Sequence, residues 1–215
     1  GTFPDKMAVR VIDFESKLRQ WIAKGNLDKY DEVIVMDLDV SRIGCFDLLD
    51  NKKVTIIDHH QSHLDNIEKY KHANTFIYNA PSCTKIVYNM FKKADCDLEL
   101  EKRLLLAMVD DYDSYTLKLP FSYHLNLLFW NYQGDRVEKF CRDFAAGYTG
   151  FTKDQQNIIS FYLRKLENIK ASLDVHTAMV IINKKQYKFV SVFADQCINE
   201  VADHIIKNYK ADIGF

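Results

Sequence analysis

Glycine and proline are scarce in this 215-residue sequence, at seven and three, which argues against long disordered segments. The five cysteines, Cys45, Cys83, Cys96, Cys141 and Cys197, contain no C-x-x-C pair. Zinc-ribbon and disulfide-scaffold readings are therefore set aside, and an odd count suits reduced thiols in a cytosolic protein. No apolar run approaches the roughly 20 residues that span a bilayer. The opening Gly1-Thr2-Phe3-Pro4-Asp5 also lacks the basic-then-apolar order of a targeting signal. Charge of neither sign is in excess: 29 Lys and Arg stand against 30 Asp and Glu, with no sign of a DNA-coating surface or an acidic tail. The expectation is a soluble, cytoplasmic protein with no membrane partner, forming one large domain or one domain and part of another.

What is present is a run of strand and helix signals. Met7 to Phe14 alternates apolar and polar residues as a strand does, and Glu15 to Lys24 has helical spacing, closed by Gly25-Asn26. Val33 to Met36 reads as a buried strand ending on Asp37-Leu38-Asp39. Ser41 is placed to cap a helix from Arg42 to Leu49, and Val54 to Ile57 reads as a second buried strand. This alternation predicts a parallel sheet. A polar stretch follows to Asn74, then a short strand from Thr75 to Tyr78. Helices are expected over Lys85 to Lys93, behind a Ser/Thr cap, and over Leu98 to Val109, with Leu104, Leu105, Ala107 and Met108 as the apolar face. Residues 121–172 read as a helical linker, broken near Gly134, Gly147 and Gly150, whose last helix is Lys153 to Ala171. From 173 to 215 the pattern becomes a β-hairpin of His176 to Ile182 and Tyr187 to Phe193 turning at Asn183-Lys184-Lys185. A helix from Cys197 to Tyr209 and a strand starting at Ala211 complete what looks like a partial α/β domain.

Chemistry concentrates where apolar segments stop. In open α/β sheets ligands bind beyond the carboxyl ends of strands, and here those ends carry Asp37 and Asp58-His59-His60. A third acid cluster, Asp110-Asp111-Tyr112-Asp113, closes the Leu98 helix. A lone Asp or His at such a place is most often a cap or turn residue; the triplet is what singles this position out. Oxygen and imidazole donors without thiolate suit Mn²⁺ or Mg²⁺ better than structural zinc.

The segments VIVMDLDV, VTIIDHH, PSCTKIVY and LAMVDDYDSY resemble, in order and approximate spacing, the DHH phosphoesterase family of RecJ-like exonucleases, nanoRNases, cyclic-dinucleotide phosphodiesterases and family II pyrophosphatases. The resemblance covers most of residues 7–120. It implies a DHH domain over residues 1–120, with the linker and a DHH-associated C-terminal domain after it. It also implies that Asp37 bridges two metal ions, that His59 and Asp113 bind one of them, and that His60 faces the scissile phosphate while Asp58 orients its neighbours. Asp110 and Asp111 compete with Asp113 for its role, the preference resting on the likeness of YDSY to the family's Asp-Thr-aromatic pattern. Ser82 and Thr84 are candidates to touch substrate or a metal ligand, though helix capping explains them equally well. Asp39 is read as a solvated or capping acid. His63, His72, His124, His176 and His204 are read as surface or satisfied interior histidines, and the aromatics Phe121, Tyr123, Phe129, Trp130 and Tyr132 as core rather than a base-stacking platform.

Two family features are missing. No His-x-Asp-x-Asp motif precedes Met7, so three groups would serve one ion and only Asp37 a second. No glycine-rich, histidine-containing loop closes the C-terminal unit, since no two glycines are adjacent. The sequence is thus expected to be a piece of a complete enzyme rather than a reduced relative. The implied function is a Mn²⁺- or Mg²⁺-dependent phosphodiesterase acting on short oligonucleotides or cyclic nucleotides. In it the metals would lower the pKa of the attacking water and clamp the charged oxygens. Near-neutral charge argues against long duplex DNA as a partner, and a homodimer is left open. The competing expectation is a degenerate DHH-like module that binds a nucleotide or a protein partner without turnover.

Overall fold

The computed structural model describes residues 9, 12, 15–40, 44–94 and 97–214, and the expected first strand, Met7 to Phe14, lies almost wholly outside them. The chain divides into two compact units, 1–150 and 151–215. Two helices of the expected linker therefore belong to the first unit and the third to the second.

In the first unit, β1 (Val33–Met36), β2 (Val54–Asp58) and β3 (Asn74–Ile77) form a parallel sheet in that order. All five residues of the central strand β2 are buried. Val54 and Ile56 join Leu18, Ile22, Val35, Val40, Phe46, Leu49 and Ile77 in one core, each large side chain contributing roughly 2 kcal/mol of apolar burial. That core is closed by α1 (Glu15–Ala23) and α2 (Phe46–Leu49). Ile57 instead packs on Cys83 and Ile86 of α4 (Cys83–Lys93). β1 was expected to be buried throughout, yet Ile34 and Met36 are 55% and 48% exposed. Alternate residues of a strand point to opposite faces, and among the described residues only the Val35 face of β1 is covered.

Several helix bounds differ from the sequence pattern for local reasons. The helix before β2 is described only over Phe46–Leu49; Ser41 lies outside the described residues. α4 starts two residues earlier than its apolar spacing suggests because Ser82 accepts the Lys85 amide at 3.0 Å. α5 (Leu100–Asp113) runs four residues beyond Val109, through the acid cluster, because those acids find hydrogen-bond donors. Of its expected apolar face only Met108 is buried; Leu104 and Ala107 are exposed. α6 (Ser122–Asn131) and α7 (Arg136–Asp143) follow, α6 packing on α5. Gly147, at φ +92°, lies so close to the Glu101 carbonyl carbon that a Cβ would sit 2.2 Å from it, and the adjacent Tyr148 amide donates to Glu101 O at 2.9 Å.

The second unit begins with α8 (Lys153–Ala171), started by a reciprocal cap in which Thr152 and Gln155 satisfy each other's amides. β4 (Val175–Ile182) and β5 (Lys185–Val192) pair antiparallel. The turn is two residues, Asn183 and Lys184, not three. Both have positive φ, 50° and 66°, as the tight turn that matches strand twist requires. α9 (Ile198–Tyr209) lies on β5 and on β6 (Ile213–Gly214), which pairs parallel to β5, with Val190, Val201 and Ile205 buried. Each unit is thus mixed α/β.

Candidate metal centre

Strand register assembles the site. Met36 pairs with Ile57, so the next residue of each strand, Asp37 and Asp58, stand side by side, and the Asp37 amide donates to Ile57 O at 3.0 Å. Asp37 has a left-handed backbone, φ 56°, a conformation that Asp tolerates better than most residues and that is concentrated at functional sites. His59 and His60 follow directly, and ligand-type atoms of Asp37, Asp58, His59 and His60 all lie within 4.8 Å of one another, a group that can hold a metal ion.

Within this group the roles separate. Asp58, fully buried, has both oxygens engaged: Oδ1 accepts the His59 amide at 2.8 Å and His60 Nδ1 at 2.7 Å, and Oδ2 accepts His63 Nδ1 at 2.5 Å. Burial alone would raise its pKa, but the bonds from His63 and His60 outweigh it and hold the carboxyl at about 2. Asp58 is therefore a brace between imidazoles. The His60 side chain is 42% exposed. Burial pushes its pKa down, and the bond and charge of Asp58, with the charge of Asp37, carry it above the usual histidine value.

His59 Nδ1 donates to the Ala80 carbonyl at 3.3 Å, which leaves Nε2 to face two carboxylates, Asp37 Oδ1 at 3.3 Å and Asp113 Oδ2 at 3.8 Å. Asp113 is pushed above the ordinary carboxyl range by burial and by the charge of Asp37. Two partly exposed carboxylates thus converge on one imidazole nitrogen, the kind of oxygen and nitrogen donors a divalent cation takes.

Helical phase separates the three competing acids of α5. Asp113 and Asp110 share a side, three residues apart, whereas Asp111 points with Met108 into the protein. Asp111 accepts Ser122 Oγ and Thr116 Oγ1, each at 2.5 Å, and the Lys118 and Leu119 amides at 2.9 and 3.0 Å. Those bonds outweigh its burial and hold it well below the usual range. They also fasten a loop in which Tyr115, Leu117 and Phe121 all adopt left-handed φ. Asp110 accepts the Ser82 hydroxyl. Ser82, expected to touch substrate or a ligand, is fully buried as the α4 cap, while Thr84 is half-buried beside a cavity between α4 and α5.

Two residues take parts that the sequence reading did not assign. Asp39 is not solvated: it is 7% exposed and accepts the Ser62 hydroxyl. His63, fully buried, is a satisfied interior histidine that also braces the site through Asp58. Its Nε2 meets Tyr70 Oη at 2.8 Å. Burial and the charge of Asp58 push the Tyr70 phenol up, so it stays protonated beside the His63 ring. Phe46 packs edge-on to both rings. The only sequence signal was position: a turn of helix, α3 (Gln61–Leu64), starting directly after the triplet folds residue 63 back beneath it.

Compared with models of known protein families and with curated proteins, the chain matches none. Among the described residues, no helix is long and apolar enough to cross a membrane.

Proposed function

We propose that the first unit carries one metal site of a DHH-type phosphodiesterase acting on short oligonucleotides or cyclic nucleotides. Asp37, His59 and Asp113 would hold Mn²⁺ or Mg²⁺, in keeping with a donor set of oxygen and imidazole. The observation that supports this most is the His59 ring, tied at Nδ1 to Ala80 and turned with Nε2 between two carboxylates. A bound divalent cation supplies charge for the phosphoryl oxygens and acidifies water. The chain's own residues then do the positioning. Asp58 fixes the His60 ring, and His60, more than two-fifths exposed, donates a hydrogen bond to the phosphoryl group that enters beside the ion. His63 and Tyr70 hold Asp58 in place.

The test is Mn²⁺-dependent hydrolysis of dinucleotides, cyclic dinucleotides and pyrophosphate, with Asp37→Ala and His60→Ala beside the wild type. Cleavage of a nucleotide phosphodiester that both substitutions abolish is expected. A wild type that cleaves none of the panel, or an active Asp37→Ala, overturns the reading. Metal-dependent nucleotide binding without cleavage would instead favour a module that binds without turnover, a reading favoured by the single-ion donor set of the described residues.

A further inference from the structure

In the second unit the strands lie in the order β4, β5, β6, and the two edges of this sheet differ. β6 is a two-residue strand, whereas β4 offers eight residues, Val175–Ile182. Every β4 residue after Val175 is exposed. A long open edge is normally guarded by a charged side chain, a proline or a bulge. From Val175 to Ile182 there is no acid, lysine, arginine or proline, and the eight residues pair one-to-one with β5, without a bulge. Met179 and Ile181 share a face with Val190, since Thr177 stands opposite Val190 and side chains alternate along a strand. α9 covers that face over β5 and β6, yet Met179 and Ile181 are 58% and 73% exposed. The outer backbone edge and the apolar side chains beside it are therefore open together.

The charges at the two ends of β4 identify the occupant. Asp174 precedes the strand and Lys184 lies in the turn that follows it, both exposed. Two copies of the chain related by a two-fold axis through Met179, normal to the sheet, pair β4 antiparallel with each residue opposite the one equally far beyond Met179. That register sets Met179 against Met179, Ala178 against Val180, Thr177 against Ile181 and, at both ends, Asp174 against Lys184. Moving the axis one residue along puts His176 opposite Lys184, and one residue back puts Asp174 opposite Ile182. Only the register centred on Met179 is both apolar in the middle and complementary in charge at its ends. We propose that β4 is a self-pairing edge, through which two copies join their three-stranded sheets into one continuous sheet with both α9 helices on the same face, an isologous dimer. About eight hydrogen bonds form between the copies along roughly 27 Å of edge. A single strand edge buries less than the roughly 1,200 Å² of a standard interface, so association is of the micromolar kind. The edge shares no residue with the candidate metal centre.

Sedimentation velocity of the whole chain between about 1 and about 300 μM tests the dimer, a span over which a micromolar Kd converts monomer to dimer. Wild-type protein is expected to sediment as a monomer at the low end and as a dimer at the high end. Met179→Lys sets two ammonium groups against each other on the axis and should weaken association by about fivefold or more. Asp174→Lys and Lys184→Asp each turn both end pairs from attraction to repulsion; alone, each should weaken association by about the same factor, and combined in one chain they should restore it. All three positions are exposed, so each variant should keep the wild-type far-ultraviolet circular dichroism. A wild type that stays monomeric to about 300 μM leaves the edge to a different chain and overturns the proposal. So does a dimer that Met179→Lys leaves intact, or a loss on single charge reversal that the combined variant fails to restore.

Discussion

Replacing Asp58 by alanine removes the acceptor for three donors at once, and its effect on stability can be worked out from the geometry. His63 would be left fully buried with an unanswered Nδ1–H, and His60 and the His59 amide would lose their anchor. Removing one partner from a buried charged network costs about 3–5 kcal/mol. The pH dependence separates Asp58 from a generic cavity. Its folded pKa of about 2 lies below the ordinary 3.8, so the stability it contributes is fully present above pH 3.8 and is lost as pH falls toward 2. That difference is worth about 2 kcal/mol. Both tryptophans, Trp21 and Trp130, belong to the first unit, so their fluorescence in urea reports on the unit that contains Asp58 without a signal from the other. The expected result is a gap between wild type and Asp58→Ala of about 3–5 kcal/mol at pH 5 that narrows by about 2 kcal/mol between pH 4 and pH 2. A gap below about 1 kcal/mol at pH 5, the range of an ordinary surface change, or one that stays constant down to pH 2, would refute the brace.

Asp111→Ala should destabilise the first unit by about 3 kcal/mol, because two hydroxyls and two amides lose their acceptor while the left-handed residues 115, 117 and 121 keep their strain; thermal unfolding followed by tryptophan fluorescence measures it. Lys184→Gly, at a position with φ 66°, should stabilise the hairpin by about 0.5–1 kcal/mol by relieving the left-handed backbone penalty, read as a raised midpoint in far-ultraviolet circular dichroism. Cys83 is buried against Ile57 O at 3.3 Å, and burial with the nearby charges of Asp37 and Asp58 pushes its thiol up to about 12. At pH 8 it should therefore resist alkylation in the native protein while exposed Cys141 reacts, as peptide mass spectrometry would show.

The parallel sheet was legible because β1 and β2 are short apolar runs closed by polar turns, and β2 sits at the centre with no solvent face to disturb its pattern. The convergence of Asp37 with the triplet follows from parallel register alone. The expected brace at Asp58 could be guessed from its place, but its main partner could not. His63 lies in a polar stretch with no periodicity, and only the turn of helix after His60 carries it under the site. Asp39 reads as solvated because nothing local indicates that Ser62 covers it. The acids of α5 stand beyond the expected end of the helix, since three carboxylates in four residues are poor helix interior; hydroxyls of Ser82, Thr116 and Ser122 bond Asp110 and Asp111 within it. Their phase, once the helix is granted, distinguishes Asp113 and Asp110 from Asp111. The exposure of Leu104 and Ala107 was not legible, because an apolar stripe does not reveal which part of it a neighbour will cover.

The most direct measurement is Mn²⁺ binding followed by electron paramagnetic resonance, in wild type, His59→Ala and Asp113→Asn. Wild-type protein is expected to bind Mn²⁺ through the Asp37, His59 and Asp113 side chains, and each substitution to weaken that site at least about tenfold, the lower bound seen even for changes behind metal ligands. Wild-type protein that leaves the free Mn²⁺ signal undiminished, or Asp113→Asn protein that binds as the wild type does, would contradict it.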